Sequence, residues 1–244
     1  DCYEDETTGE IKITVALGES KGCTLTNSDI QPQLTVIKHV DNGTTGGDKA
    51  ASDFSITVTG TNVSDTNFLG AESPGTTVTL NAGTYSVTEV ELDGYSASYS
   101  ADCEGTIAIG ESKTCTITNT AQQAYVTVTK EVNNDYGGTA GVNDFSLTLG
   151  GNGVDSGVAV PVDPGTYVID ETLLTGYEFD GFSGDCYENE TTDDIEITVA
   201  LGESKGCTLT NSDIAPKLTL VKNPVGGDAN PNDFLLTVGG EAAS

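Results

Sequence analysis

The 244-residue chain contains no methionine, tryptophan or arginine. Its nine basic residues are all lysines, set against 38 acidic ones, which gives a formal net charge of −29. A surface this acidic repels nucleic acid and anionic membranes. No apolar run approaches the ~18 residues that a membrane-spanning helix needs. The composition therefore predicts no nucleic-acid partner and no membrane span in this stretch of chain.

Residues for catalysis and metal binding are also scarce. His39 is the only histidine, and the sequence has no Ser-His-Asp or Cys-His pattern, phosphate-binding glycine loop or catalytic carboxylate pair. No cysteine pair has the CxxC spacing of a metal site. The sequence predicts no enzyme, no cofactor and no metal site. The acidic loops Asp1–Glu6 and Asp185–Asp194 give a weak calcium signal, since they lack EF-hand spacing.

The most prominent feature is a repeat of 92 residues. The segment that ends in Asn119 recurs with ends at Asn27 and Asn211, each 92 residues away. A period of this length indicates tandem domains. We expect residues 1–30 to be the C-terminal part of one repeat, 31–120 and 121–214 to be complete repeats, and 215–244 to begin another. The chain would then be a window of a longer repetitive polypeptide.

Each complete repeat is predicted to be a β-sandwich. Short alternating segments are separated by Gly, Asn and Asp turns, and helical periodicity is absent. The predicted strands of the first repeat are Leu34–Val40, Phe54–Thr59, Thr76–Leu80, Thr84–Val90, Tyr95–Tyr99, Thr106–Ile109 and Cys115–Asn119. The fold class is therefore all-β, a tandem array of immunoglobulin-like antiparallel sandwiches. Short proline-containing links predict a rod-like array.

The six cysteines form three close pairs in sequence, one in residues 1–30 and one in each complete repeat. The predicted disulfides are Cys2–Cys23, Cys103–Cys115 and Cys186–Cys207. Structural disulfides persist in oxidising compartments. The pairs therefore predict an extracellular protein.

Three polar residues interrupt the apolar faces of the predicted strands. Side chains two positions apart on a strand share a face. By this parity Lys38, Glu89 and Asn119 point into the core of the first repeat. The corresponding set in the second repeat is Lys130, Glu171 and Asn211, while Asn27 and Lys222 have their predicted partners outside the window.

These three residue types suggest a covalent crosslink. Burial lowers the pKa of an amine and raises the pKa of a carboxyl group. A neutral lysine amine can attack the asparagine amide carbon, with Glu89 or Glu171 as the proton shuttle. Ammonia leaves, and an isopeptide bond joins the first strand to the last. The alternative is a hydrogen-bonded Lys–Glu pair, with the asparagine as a turn residue.

Several segments resemble the prealbumin-like (transthyretin-like) domains of microbial surface proteins, which are related to collagen-adhesin B-type and pilin domains. The first repeat contributes LTVIKHV, ASDFSITVTG, AGTYSVTEVELDGY and CTITN, and the second YVTVTKEV, VNDFSLTLG, PGTYVIDETLLTGY and CTLTN. The resemblance implies self-catalysed Lys38–Asn119 and Lys130–Asn211 isopeptide bonds. A disulfide beside the last strand is not general among pilin-type members.

Together these features predict a structural protein: an extracellular stalk, fibre or filament at a microbial cell surface. Its partners would be neighbouring repeats of the same chain and copies of itself in a fibre. Two alternatives remain open at this stage. One is an adhesin that binds a host or environmental ligand, and the other is a calcium-dependent assembly module.

Overall fold

The computed structural model describes residues 1–239, 241 and 242. The chain divides into two compact units, Asp1–Gln122 and a second that begins at Gln123. Helix in the described residues is limited to four 3₁₀ turns of three residues each. None of these is long or apolar enough to cross a membrane. The protein is all-β, as the sequence predicted.

The first unit comprises a short N-terminal hairpin followed by a sandwich of eight strands. Its elements are β1 (Tyr3–Glu4), β2 (Ile11–Lys12), β3 (Gln33–Asp41), β4 (Ser55–Thr59), β5 (Asn67–Leu69), β6 (Thr76–Thr79), β7 (Gly83–Glu89), β8 (Tyr95–Tyr99), β9 (Glu104–Ile107) and β10 (Ser112–Ala121). Seven sandwich strands overlap the predicted segments. The eighth, β5, has three residues, too few to show an alternating pattern.

Two four-stranded sheets enclose the core of the first unit. Their strand orders are β6-β3-β10-β8 and β5-β4-β7-β9. Alternate residues of each strand point between the sheets, so that Leu34 and Val36 of β3 pack with Ile56 and Val58 of β4. Each of these side chains is completely buried. The alternation that defines the core also directs Lys38 into it.

The first and last strands of this sandwich, β3 and β10, run parallel, whereas its other strand pairs are antiparallel, as expected. Nine residues of β3, from Gln33 to Asp41, pair in register with Ser112 to Thr120 of β10. The chain returns to this sheet from the opposite one, and such a crossover does not impose the antiparallel direction of a hairpin. The start of β3 and the end of β10 therefore lie at opposite ends of the strand pair.

The second unit repeats this architecture. Its strands are β11 (Ala124–Asn133), β12 (Leu147–Leu149), β13 (Asn152–Val154), β14 (Ala159–Val162), β15 (Gly165–Glu171), β16 (Tyr177–Gly184), β17 (Tyr187–Glu188), β18 (Ile195–Val199), β19 (Ser204–Asp213), β20 (Thr237–Val238) and β21 (Glu241–Ala242). The sandwich sheets have the orders β14-β11-β19-β16 and β13-β12-β15-β18-β17. The first and last sandwich strands, β11 and β19, again pair in parallel.

Nearly identical sequences adopt different structures in the two units. Residues 1–30 and 185–214 differ at four positions. Residues 204–213 form β19, with Asn211 buried, whereas residues 13–32 form no strand and Leu25 is exposed. The later copy pairs with β11 and β16. Pairing partners, and not local sequence alone, therefore decide whether this segment becomes a strand.

Each of the three predicted cysteine pairs forms a disulfide in the structure. The bonds join Cys2 to Cys23, Cys103 to Cys115 and Cys186 to Cys207. Cys115 and Cys207 are buried on the last strands of the two sandwiches. Each of these two bonds therefore ties a last strand to the segment that precedes it.

The first prediction concerns the Cys103–Cys115 disulfide. Replacing both residues by serine should lower the free energy of unfolding of the first sandwich by about 3 kcal/mol, because the unfolded chain gains the entropy of an open loop. Hydrogen exchange, resolved to peptides from β3 to β10, measures the change. The matched control replaces Cys2 and Cys23, which lie outside the sandwich strands, and should leave those peptides unchanged. Equal effects of the two double replacements on hydrogen exchange in these peptides would contradict a specific stabilisation of the first sandwich by the Cys103–Cys115 disulfide.

Candidate functional site

In the first unit, three polar side chains from three strands meet inside the core. Lys38 lies on β3, Asn119 on the adjacent β10, and Glu89 on β7 of the opposite sheet. The Lys38 Nζ donates a hydrogen bond to Asn119 Oδ1 and lies 3.1 Å from Glu89 Oε2. The side chains of Lys38 and Glu89 are both 0% exposed. The structure thus brings together the three residues that strand parity selected.

The second unit contains the same arrangement. The Lys130 Nζ lies 2.5 Å from Asn211 Oδ1 and 3.0 Å from Glu171 Oε2. It also donates to the backbone carbonyl of Leu209 at 3.2 Å. Exposure of the Glu171 side chain is 7%, and that of Lys130 is 0%. The site is therefore a recurring feature of the fold.

The register of the parallel strands explains how lysine and asparagine meet. Lys38 lies beside Ile117, and Asn119 lies two residues further along β10 beside Val40. Ile117 and Asn119 share one face of their strand, as Val36 and Lys38 do. The long lysine side chain can therefore reach diagonally to the asparagine amide. The same offset relates Lys130 to Asn211 in the second unit.

The electrostatic setting of the amine is unusual for a lysine. Burial lowers the pKa of Lys38 below its ordinary value, and the attraction of Glu89 opposes the shift only in part. Both oxygens of Glu89 and of Glu171 lack a hydrogen-bond partner, although each carboxyl lies within ion-pair distance of a lysine. The Nδ2 of Asn211 is also unpartnered. Leaving buried polar groups unsatisfied costs stability, so each carboxyl group depends on the lysine beside it for compensation.

One side of each site is formed by a phenylalanine ring, here called the aromatic wall, which was not predicted from the sequence. The Lys38 Nζ lies 4.2 Å from the centroid of the Phe54 ring, and the Lys130 Nζ lies 4.7 Å from that of Phe145. Both phenylalanines are buried, and each directly follows a 3₁₀ turn that ends in aspartate. The recurring Asp-Phe dipeptide was the available signal, but an apolar residue at a strand start is ordinarily interpreted as core.

The other two predicted crosslink residues lie outside such a site. Asn27 is exposed and lies in no strand. Lys222 is exposed too, with its Nζ 4.4 Å from the centroid of the Phe234 ring. The proposed partners of both residues were placed outside the window, and that assignment stays a prediction.

No metal centre emerges from the described part of the chain. Within it, no three His, Cys, Asp or Glu side chains are grouped so that they could hold an ion. The acidic segment of residues 185–194 instead makes internal contacts, such as the bond from the Asn189 backbone N–H to the Asp194 carbonyl at 2.8 Å.

Several solved structures are similar to this chain at low sequence identity. The TIE protein of Bacillus anthracis is 16% identical with a TM-score of 0.38, and the match covers 77% of this chain and 34% of that one. The major pilin of Streptococcus pyogenes is 14% identical with a TM-score of 0.34, with coverage of 77% and 99%. A pilus adhesin of Lactobacillus rhamnosus GG is 15% identical with a TM-score of 0.30, with coverage of 74% and 28%. The chain thus spans about a third of the TIE protein.

A comparison with curated proteins finds no match. A family described as a prealbumin-like fold domain, in contrast, matches twice, over residues 29–122 and 121–209. The first match includes the whole buried site of its sandwich, and the second includes Lys130 and Glu171 and ends two residues before Asn211. This chain belongs to the family of prealbumin-like fold domains.

Proposed function

We propose that this chain is a structural segment of an extracellular fibre or stalk at a microbial cell surface, and that each complete repeat closes a Lys–Asn isopeptide bond. One observation carries the proposal. In both units a lysine amine, a carboxyl group and an asparagine amide meet in the buried core.

The bond would form by amide exchange. The neutral amine of Lys38 attacks the amide carbon of Asn119, forming the new C–N bond, and the carbonyl electrons move to oxygen. Glu89 takes a proton from the lysine nitrogen and delivers it to the departing nitrogen, so that the oxygen re-forms the carbonyl as that nitrogen leaves. The original C–N bond breaks and ammonia leaves. Lysine and asparagine side chains become one secondary amide, and neither an oxidant nor a cofactor is required.

The parallel pairing of β3 and β10 gives such a bond a mechanical role. Tension along the chain enters the first sandwich at the start of β3 and leaves it at the end of β10. A Lys38–Asn119 bond would pass that tension directly between the strands. The residues between these two positions would then be shielded from the load. The same relation holds for Lys130 and Asn211 on β11 and β19.

Two further features support an exposed, oxidising location. Three disulfides join all six cysteines, and such bonds persist where thiols are not kept reduced. A net charge of −29 keeps a repetitive surface protein soluble. Its partners would be neighbouring repeats of the same chain and copies of itself. None of these features calls for an enzymatic activity on an external substrate.

Mass spectrometry tests the crosslink directly. After allowance for the disulfides, the intact mass should fall below the sequence mass by one ammonia for each complete unit, because every bond releases one. Asn119→Ala should restore one ammonia, and the combined Asn119→Ala and Asn211→Ala change should restore both. A wild-type mass without any deficit would refute the bond.

Glu89→Gln tests the proton shuttle. Glutamine keeps the size of the side chain but cannot accept or release a proton, so the Lys38–Asn119 bond should form roughly 10²- to 10⁴-fold more slowly. Peptide mass mapping during refolding follows the bond, and the Lys130–Asn211 bond of the same molecule serves as an internal reference. Glu91→Gln, at an exposed position nearby, is the matched control. Unimpaired bond formation in Glu89→Gln would exclude the shuttle role.

The pH dependence tests the nucleophile. Only the neutral amine attacks, so bond formation in the first unit should accelerate with rising pH while Lys38 is still protonated and level off above its pKa. Because burial lowers the pKa of Lys38, the plateau should begin below ~10.4, the value for an exposed lysine. Refolding of denatured, uncrosslinked chain at a series of pH values measures the profile. A rate that still rises up to about pH 10 would argue against a buried nucleophile.

A further inference from the structure

A tyrosine lies six residues after the glutamate of each site and makes the same contacts in both units. The Tyr95 hydroxyl donates to Asn42 Oδ1 at 2.6 Å and accepts from the Lys49 backbone N–H at 3.1 Å. The Tyr177 hydroxyl donates to Asn134 Oδ1 at 2.5 Å and accepts from the Ala140 N–H at 2.9 Å. Each tyrosine therefore anchors the loop that follows the first strand.

The asparagine completes this anchor, which we name the Tyr–Asn clamp. In the first unit, Asn42 Nδ2 donates to the Lys49 carbonyl at 3.0 Å, and in the second, Asn134 Nδ2 donates to the Ala140 carbonyl at 3.1 Å. A glycine in the loop leaves the space that these contacts need. A Cβ atom on Gly47 would lie 2.8 Å from the Tyr95 hydroxyl and 2.9 Å from Asn42 Oδ1. Glycine at this position therefore permits the close approach.

The ring of the same tyrosine supports the aromatic wall of the site. The edge-to-face pair of Tyr95 and Phe54 has a centroid separation of 5.6 Å and an interplanar angle of 83°. The pair of Tyr177 and Phe145 has 5.6 Å and 89°. Each phenylalanine ring in turn faces the lysine amine. The Tyr–Asn clamp is therefore connected to the nucleophile through the tyrosine–phenylalanine ring pair. The tyrosine itself contacts neither reacting group.

We propose that Tyr95 and Tyr177 are positioning residues for isopeptide formation, each fixing a phenylalanine ring that seals the lysine amine from water. The inference rests on the proposed function and adds to it the residues that keep the nucleophile dry. Two independent copies of the arrangement support it. The hydroxyl fixes the loop, and the ring fixes the phenylalanine.

We expect the Tyr–Asn clamp to affect bond formation by limiting the access of water to the Lys38 amine. Burial is the largest cause of the lowered pKa of Lys38. Tyr95→Phe keeps the ring but releases the loop, so water gains access to the wall of the site. The amine then stays protonated to higher pH, and the phenylalanine ring is less well placed. Bond formation near neutral pH should slow, and its pH profile should move upward.

The experiment uses the full chain, obtained unfolded and uncrosslinked in denaturant and then folded under conditions that form the disulfides. In Tyr95→Phe, the Lys38–Asn119 bond should form roughly 10-fold more slowly at neutral pH, and raising the pH should recover most of the rate. The Lys130–Asn211 bond should be unaffected. Tyr177→Phe should slow formation of the Lys130–Asn211 bond and leave the Lys38–Asn119 bond unaffected, so each unit is the matched control for the other. Asn42→Ala, which retains both rings, should reproduce the effect of Tyr95→Phe.

The results for Tyr95→Phe distinguish the positioning role of the tyrosine from the isopeptide bond itself. An unchanged rate and pH profile in Tyr95→Phe would overturn the positioning role while the isopeptide bond stands. A rate reduced equally at every pH would also overturn it, because general loosening of the fold would then suffice. The Cys103–Cys115 disulfide and hydrogen exchange of β3 and β10 report whether the variant is folded. If wild-type chain forms no bond, both proposals fail together.

Discussion

The contact between a lysine amine and an asparagine amide, made across two parallel strands in a dry core, is the constraint on which the rest of the structure depends. It requires a first strand and a last strand that lie side by side, because one side chain from each must reach the other. It also requires a third group from the opposite sheet to manage protons. The sandwich satisfies both requirements twice, with Glu89 and Glu171 directed inward from β7 and β15. The core would thus hold the reacting groups of the proposed bond as well as the apolar side chains that stabilise the fold.

Strand alternation was sufficient to identify the six polar residues of the two sites from sequence. A lysine at the third inward position of an apolar strand is costly to bury unless a partner meets it, and the 92-residue spacing repeated the signal. The alternation of apolar and polar residues does not indicate strand direction, however, so the parallel pairing of β3 with β10 was not predicted. The alternation also does not predict that Phe54 and Tyr95 lie beside the lysine site. An aromatic residue in a predicted strand cannot be distinguished from an ordinary core residue until its neighbours are known.

The segment of residues 1–30 shows a second limit of sequence reasoning. Its near-identical copy at 185–214 forms a ten-residue strand with a buried asparagine, but the first copy leaves Asn27 exposed. Strand formation here depends on backbone partners supplied by a distant part of the chain. Local pattern therefore predicts what such a segment can become, and the presence of a complete sandwich decides whether it does.

The disulfide and the proposed isopeptide bond of each sandwich lie at different places in the chain, which would give them different roles. Cys103 and Cys115 both lie between Lys38 and Asn119, and Cys186 and Cys207 both lie between Lys130 and Asn211. Once the proposed bonds form, each disulfide is enclosed in a loop that tension bypasses. The disulfide would then stabilise the fold by restricting the unfolded chain, and the isopeptide bond alone would transmit force. A fibre built in this way would keep its strength even where the disulfides are reduced.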